Sequence, residues 1–578
     1  MLGNRPLLGA ALGSIELPPG IEDPITAIAK TRGAEFAVIF EVTGFPKQFA
    51  GASGGATPLL GAPLLSSIGI AGEEIVQDLS PLTLWLSDYA YRTKPSDIVL
   101  PNMWTEPRMT RRADIEQTAP VAQGGSRSAQ TTTGDVEFAD NDGYLRDLSH
   151  VYSFENRPAK VHLVRIGRPW VERATVSESV VGRTTRSNNS FRFTLGDASS
   201  ILDTPLVTRV YSGTGLRDGT AELKGTAPPI GFGPVNYAKP LLEDPSIWLY
   251  RLSDYGVNAV SLVEERGIPF NFAGDFDSYE LLRVAADSLA EGEYATCLVD
   301  GSIVIKFAGG SPLDPDAIRV SFEGDKSSGT YVSFLGDVTY SMIRFVMGVP
   351  DSRIDKPSFD ELPLYPVSYY FGGGSTSPTG AQALNTILGS AFGVFGSVNN
   401  DRIGAKLYYP PGDQPAASTL VQQEIFSVEE IAPPQDAIWS QEIGWGANAD
   451  GYTRDQLAVE SLTEEEVDER TRSFEGVYKK TNTNVKASNL SAVEGSLIES
   501  VFTTEEGAID AVERLMGVWG VDTKTYEVEA SFAAADIRRG SVISMTHHDF
   551  GSKSGGKFLV YGRRLQLSKR RVLLTVVG

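Results

Sequence analysis

The residues best suited to metal binding or nucleophilic catalysis are few in this sequence and poorly spaced. Its 578 residues contain four histidines, His150, His162, His547 and His548, and one cysteine, Cys297. None of the histidines has the HExxH or Cys/His ligand spacing typical of zinc sites. His547 and His548 fall at the end of a predicted strand, where we expect them to cap the next loop or lie in an interface. The sequence therefore predicts no metal site and no cofactor.

One segment matches a catalytic motif. Residues 51–55 read GASGG and fit G-x-S-x-G, the nucleophile elbow of some hydrolases. That elbow needs a strand entering the turn and a helix leaving it. Pro58 and Pro63 follow within the first turns and oppose a helix. We interpret the segment as a loop of small residues and predict no catalytic residue in it.

A possible calcium loop and two glycine-rich segments also have structural interpretations. Asp140 to Gly143 resembles part of a calcium loop, but Phe138 and Ser149 occupy the positions of the first and twelfth ligands, so a β-turn is predicted. The glycine-rich segments at Gly213 and Gly231 lack G-x-G-x-x-G spacing, and nucleotide binding is not predicted.

The acidic run EEEVDE begins at Glu464. We interpret it as the first turn of a helix, where the macrodipole favours negative charge. Thr463 and Glu466 have the spacing of a capping box, and the apolar residues Val467, Phe474 and Tyr478 extend the predicted helix from 463 to about 480.

The composition restricts the possible partners. With 51 basic and 73 acidic side chains, the formal charge is −22, so most of the surface should repel nucleic acid and no specific nucleic-acid binding is expected. The acidic surface either keeps the protein soluble or forms the wall of a conduit through which DNA passes. A single cysteine excludes an intrachain disulfide. No apolar run reaches the length of a membrane helix, and a signal peptide is not predicted.

Periodicity and breakers divide the chain into five regions. We predict an N-terminal extension at 1–35, a β-rich barrel region at 36–230, a mixed α/β module at 231–330, a second α/β module at 331–435, and a C-terminal α+β domain at 436–578. The predicted fold class is α+β and multidomain, with β-barrel domains separated by α/β modules.

Helix signals recur in the second half of the chain. Capping-box spacing at Asp277 and Glu280 and again at Thr503 and Glu506 predicts two helix starts. Helices are also predicted at 338–347 and at 378–390, the latter with Ser377 as the N-cap and Pro378 in the first turn.

The last residues, Ile537 to Gly578, alternate apolar and polar side chains in three runs separated by a glycine-rich loop. They predict a half-buried strand from Val542, a second from Phe558 to Tyr561, and a closing strand from Arg571 to Val577.

Four segments, in order, resemble the tail hub (baseplate hub) proteins of long-tailed phages and related gene transfer agents. They are GDVEFADNDGYLRDL at Gly134, GTAELKGTAPPIGFGPVNYAKPLL at Gly219, IGWGANADGYTRDQLA at Ile443, and IRRGSVISMTHHDFG with KFLVYGRRLQL and LLTVVG from Ile537. The resemblance covers roughly residues 130 to 578. The first 130 residues match little of the pattern.

The resemblance implies a structural virion protein and not an enzyme. Such hubs are homotrimers with tail-tube-like β-barrel domains at the phage tail tip, and they are assembled in the host cytoplasm. The implied partners are the tail tube and distal tail protein, the tape measure protein, and a central fibre or tip protein, with DNA passing through the channel. Two other classes stay open: a tail-associated cell-wall or polysaccharide hydrolase, for which Trp445 is a candidate exposed aromatic, and a glycan-binding module in residues 270–430.

Overall fold

The computed structural model describes residues 36–46, 81–118, 128–399, 402–521 and 523–578. The predicted N-terminal extension at 1–35 and the GASGG segment lie outside the described residues. Within this part the chain is an α+β protein of several domains in which strands predominate, and two of its sheets are half-barrels. The predicted fold class is confirmed.

The strands, in chain order, are β1 Phe36–Pro46, β2 Leu82–Ser87, β3 Met109–Arg111, β4 Asp114–Thr118, β5 Ser128–Thr133, β6 Val136–Ala139, β7 Tyr152–Ser153, β8 Pro158–Arg165, β9 Ala174–Arg186, β10 Ser190–Gly196, β11 Ile230–Ala238, β12 Leu241–Asp244, β13 Leu249–Arg251, β14 Ala259–Glu265, β15 Ile268–Pro269 and β16 Asn271–Asp275. The strands that follow are β17 Glu293–Cys297, β18 Ser302–Lys306, β19 Ile318–Gly324, β20 Tyr369–Phe371, β21 Gly393–Asn399, β22 Arg402–Leu407, β23 Ser418–Leu420, β24 Ile425–Ile431, β25 Ile438–Ala447, β26 Phe474–Thr481, β27 Val493–Glu494, β28 Ile498–Glu499, β29 Thr525–Ser531, β30 Val542–Met545, β31 Lys557–Gln566 and β32 Arg571–Val577.

The α-helices are α1 Tyr144–Val151, α2 Tyr279–Ala285, α3 Leu335–Ser341, α4 Lys356–Asp360, α5 Gly380–Ser390, α6 Glu464–Thr471, α7 Thr483–Ser488 and α8 Glu505–Trp519. A π-helical turn, Met342–Val346, continues α3. None of these helices is long and apolar enough to cross a membrane.

Two large sheets share one hydrophobic core. The eight-stranded sheet has the order β2-β1-β8-β9-β10-β6-β3, with β7 beside β1. The ten-stranded sheet has the order β22-β21-β5-β4-β31-β32-β29-β24, with β30 beside β31 and β23 beside β30. Phe40, Phe138 and Phe193 from the first sheet belong to the same buried cluster as Val528 and Leu574 from the second. The two sheets with this core are called the two-sheet unit below.

Long-range pairing builds the ten-stranded sheet. Strand β31, near the C-terminus, pairs antiparallel with β4, so that Leu565 lies opposite Ile115. Both side chains are fully buried, which explains why segments 450 residues apart in sequence share a fixed register.

The remaining strands form smaller sheets around separate cores. Two five-stranded sheets, β15-β14-β19-β11-β20 and β12-β13-β18-β17-β16, lie on either side of a core that includes Val235, Ile303 and Phe322. Helix α2 packs on the second of these sheets. Residues 230–324, which form these two sheets together with β20, are called the mixed unit below.

The structure corrects the sequence predictions for four helices. The helix predicted to run from 463 to 480 ends at Thr471, and Phe474 and Tyr478 lie on β26. Their spacing of four residues is an even number, so it places both side chains on one face of a strand as readily as on one face of a helix. The starts of three helices are also shifted, because the N-caps are Ser278, Thr379 and Thr504, one to two residues beyond the predicted caps.

Candidate functional site

Most charged residues of the ten-stranded sheet lie on the face that points away from the core shared with the eight-stranded sheet. Alternation on β29 turns Tyr526, Val528 and Ala530 into the core and leaves Glu527 and Glu529 outside. The same alternation operates on β4, β31, β32 and β24. At one end of the sheet this outward side is covered, because Leu559 and Val577 belong to another buried cluster. We call the following outward residues the outer sheet face: Asp114, Glu116, Thr118, Arg564, Gln566, Arg571, Leu573, Thr575, Glu527, Glu529, Ser427 and Glu429.

The register arranges the outer sheet face in rows across the strands. One row runs Glu116, Arg564, Leu573, Glu529 and Ser427. Arg564 donates to Asp114 at 3.3 Å, and Arg571 donates to Glu529 at 2.7 Å. Five carboxylates face two guanidinium groups, so the face is polar, partly ion-paired and net acidic.

Buried ions lie where other parts of the chain meet the mixed unit. Arg251 on β13 is completely buried and donates to Glu243 on β12 through two hydrogen bonds of 3.1 Å. Its third nitrogen donates to Asp300 at 2.7 Å. Arg217, from the segment 205–226 that precedes the mixed unit, pairs with the same Asp300. Burial raises the pKa of Glu243, although the neighbouring Arg251 opposes that rise.

A second buried pair joins the mixed unit to helix α6. Arg470 on α6 donates to both carboxylate oxygens of Glu264 on β14, at 3.0 to 3.2 Å. Around this pair, Tyr237, Tyr452 and Val467 form a small apolar cluster. The ion pair and the cluster together attach the helix to the sheet.

Sequence reasoning missed both ion clusters. A signal for the first was present, because Arg251 stands in the strongly apolar run Ile247 to Leu252, where a charged residue must find a partner if the strand is buried. The partners Glu243 and Asp300 carry no such signal, since their contact depends on the folding of three separate strands and a turn.

The acidic patterns examined in the sequence have the predicted structural roles. The N–H of Gly143 donates to the carbonyl of Asp140 at 3.1 Å, which is the predicted β-turn. The carboxylate of Asp142 accepts two hydrogen bonds from Arg108, which lowers its pKa to about 2. Thr463 and Glu466 form the predicted capping box at the start of α6.

Each histidine has a distinct environment. His162 is buried, contacts Glu41 at 2.9 Å and Thr175 at 3.0 Å, and burial lowers its pKa. His150 is exposed on α1. His547 caps a short helical turn by accepting a hydrogen bond from the N–H of Asp549 at 3.3 Å, as expected from its position after the strand.

Two features are relevant to an enzyme: the aromatic Trp445, predicted to be exposed, and a cleft beside α8. The aromatic Trp445 is half-buried beside Gly476 and not exposed. A cleft of about 640 Å³ is lined in part by the carboxylates Asp510 and Glu513 on α8, but Asp510 pairs with Arg514 and Glu513 with Lys480.

Comparison with known proteins gives only distant structural likenesses. No family model and no curated protein matches the sequence. The chain is similar to a tail protein from Neisseria meningitidis MC58, with 8% identity, a TM-score of 0.34, and coverage of 81% of this chain and 91% of that chain. It is also similar to a chain of the native gene transfer agent virion, with 12% identity, a TM-score of 0.38 and coverage of 66% and 91%, and to the 43 kDa tail protein of prophage MuSo2 from Shewanella oneidensis, with 9% identity, a TM-score of 0.31 and coverage of 81% and 94%.

Proposed function

We propose that this chain is a structural protein of a phage tail, and that it forms the trimeric hub at the distal end of the tail. In this role it joins the tail tube and distal tail protein to a central fibre or tip protein and forms part of the channel through which DNA leaves. The ordered motifs between Gly134 and Gly578 carry the proposal, and the distant structural likenesses are not needed for it.

The single observation that supports it best is the use of the C-terminal motif. Residues Lys557–Gln566 and Arg571–Val577, which belong to that motif, are strands β31 and β32 at the centre of the ten-stranded sheet. Strand β31 also binds β4, from the region before the first motif. A motif at the end of the chain therefore completes a sheet begun near its start, as expected for a barrel domain built from two distant segments.

The outer sheet face fits a channel wall. Its carboxylates outnumber its guanidinium groups, and a net acidic surface repels the phosphates of double-stranded DNA. We propose that this face lines the conduit or borders it, so that DNA passes without binding.

The first test is the native mass of the purified chain, together with negative-stain images of the same sample. We expect three subunits around a central opening. A monomer that also fails to bind the tail tube and distal tail proteins in pull-down experiments would overturn the hub assignment.

Charge reversal tests the channel face. The variant Glu527→Lys with Glu529→Lys is compared with Asp287→Lys with Glu460→Lys, which reverses two exposed charges elsewhere. Particles assembled with the first variant should deliver less DNA than particles with the control, at equal incorporation into tails. Equal delivery by both would exclude this face from the channel.

A cell-wall or polysaccharide hydrolase is the alternative from the sequence. Asp413, Asp510 and Glu513 line the cleft beside α8. Asp510 and Glu513 are held in ion pairs with Arg514 and Lys480, an arrangement that does not favour the acid and base pair of glycoside hydrolysis. Release of sugar or peptide from purified cell walls would reverse this conclusion, and binding on a glycan array would support the receptor-module class.

A further inference from the structure

A compact group of metal-ligand side chains follows strand β30. His547, His548 and Asp549 each present a ligand atom, and these atoms lie within 4.8 Å of one another. His547 is buried, while His548 and Asp549 are exposed at the surface. The group therefore combines a fixed ligand with two that solvent can reach.

Two distances within the group are close to those between the ligands of one metal ion. His547 Nδ1 lies 3.4 Å from Asp549 Oδ2, and His548 Nε2 lies 3.2 Å from Asp549 Oδ1. In a tetrahedral site with metal–ligand bonds of about 2.1 Å, neighbouring ligand atoms are about 3.4 Å apart. These two distances involve different oxygens of Asp549, and the three ligand atoms, one from each residue, lie within 4.8 Å of one another, so binding of one cation requires the side chains to move closer together.

The ligand atom of His547 is held by the backbone of the turn that follows it. The N–H of Asp549 donates to Nδ1 of His547. At 3.3 Å that hydrogen bond is long, and a cation can replace it at small cost. His547 also packs against the ring of Phe550, which helps to keep the imidazole in place.

His548 has an outer contact of the kind that orients a metal ligand. The side-chain amide of Gln422 lies 3.1 Å from Nδ1 of His548. The contacting atom in the structure is the amide nitrogen of Gln422, and turning the amide over places its oxygen there as the acceptor for Nδ1–H when Nε2 binds a cation. Ligating histidines commonly donate their second N–H to such a partner, which fixes the ring.

We propose that His547, His548 and Asp549 bind a divalent transition-metal cation, with Zn²⁺ as the best match. Two imidazoles and one carboxylate suit Zn²⁺, whereas Mg²⁺ and Ca²⁺ prefer oxygen ligands alone. Three protein ligands leave a fourth position for water or for a side chain of another protein. This inference is independent of the proposed hub function and differs from the sequence prediction, which assigned these histidines to capping or to an interface.

The histidine content makes the test simple. All four histidines of the chain lie among the described residues; His162 is buried with both ring nitrogens in contact with Glu41 and Thr175, and Cys297 is buried. His150 is thus the control imidazole, since it is exposed and distant in sequence from the group.

The experiment is a Zn²⁺ titration of the full chain, purified without a histidine tag, by isothermal calorimetry with native mass spectrometry for stoichiometry. We expect one Zn²⁺ per subunit, with unchanged affinity in His150→Ala. Affinity should fall at least about 100-fold in His548→Ala and in Asp549→Asn, and about 10-fold in Gln422→Ala, which removes only the outer contact. His548 and Asp549 are exposed, so these variants should fold normally, and circular dichroism checks this point.

Two results would overturn the proposal. One is the absence of saturable Zn²⁺ binding by the unaltered chain. The other is binding that His548→Ala and His150→Ala leave equally strong, or weaken equally, because the cation would then be bound elsewhere or nonspecifically.

Discussion

The two-sheet unit and the mixed unit both have apolar cores, and the mixed unit also contains a completely buried arginine with two carboxylate partners. In the first, Phe40, Phe138 and Phe193 pack with ring centroids 5.3 to 5.8 Å apart, within a core contributed by strands from both ends of the chain. In the second, the completely buried Arg251 binds Glu243 and Asp300. The free energy of apolar packing does not depend on the orientation of the groups, whereas the ions of a buried cluster are all paired in only one arrangement. We infer that the mixed unit uses its ions to fix the position of the segment 205–226.

The largest expected effect comes from breaking that cluster. Arg251→Ala leaves Glu243 and Asp300 buried without their main partner, and we expect the free energy of unfolding to fall by about 3–5 kcal/mol. Urea unfolding measures the change. Limited proteolysis should show faster cleavage in the segment 205–226.

Arg283→Ala is the matched control. Arg283 is partly exposed and lies 3.8 Å from Asp244, so its loss should change the free energy of unfolding by less than about 1 kcal/mol. Equal effects of the two variants would show that burial of Arg251 has no special importance.

The pair between Arg470 and Glu264 offers a second way to test the comparison. Arg470→Met leaves a buried carboxylate without its partner and should cost about 1–3 kcal/mol. The double variant Glu264→Leu with Arg470→Met removes both charges and should recover most of that loss. Urea unfolding of the two single variants and the double variant gives the coupling energy. Additive losses would contradict the role assigned to this pair.

Local sequence patterns predicted much of the two-sheet unit. The closing strand from Arg571 to Val577 was predicted from the alternation of its apolar and polar residues, and Val572, Leu574 and Val576 are its buried face. The pattern does not identify the neighbouring strand, since β32 could pair with any strand that has a matching apolar face. The pairing of β31 with β4 became visible only in the folded chain.

The mixed unit and the metal-ligand group were harder to predict. The contact of Arg251 with Asp300 joins residues 49 apart, and neither residue indicates the other. His547 and His548 were recognised as neighbours, but their distances to Asp549 depend on the helical turn that His547 caps. Helix α6 shows the same limit, because the capping box fixed its start while nothing local fixed its end.

The eight-stranded sheet also contains a buried polar residue, His162. We expect its contribution to the free energy of unfolding to be smaller than that of the buried ion pairs. Burial lowers its pKa, while Glu41 opposes the shift and Arg173 and Lys160 add to it. The folded chain keeps the ring neutral, whereas the unfolded chain takes up a proton below about pH 6.5. The contribution of His162 to stability is therefore complete above that pH and is lost as the pH falls below it, by at most about 1.4 kcal/mol per pH unit.

Urea unfolding between pH 7.5 and 5.5 measures this dependence. In His162→Gln the slope should be smaller, because the replaced side chain does not titrate. His150→Gln removes an exposed histidine and should leave the slope unchanged. A slope that persists in His162→Gln would assign the pH dependence to other groups.

The smallest expected effect lies on the outer sheet face and has the opposite sign. Glu429 on β24 and Glu527 on β29 are direct antiparallel partners, and both point outward. Like charges in directly opposed positions destabilise a sheet, so Glu429→Gln should raise the free energy of unfolding by about 0.2–0.5 kcal/mol. Ser427→Gln, on the same strand and face, adds an amide without removing a charge and should give no such gain. If only Glu429→Gln stabilises the isolated chain, the acidic outer sheet face lowers the folding stability of the chain. Such a loss of stability indicates that the face has a role in the assembled particle.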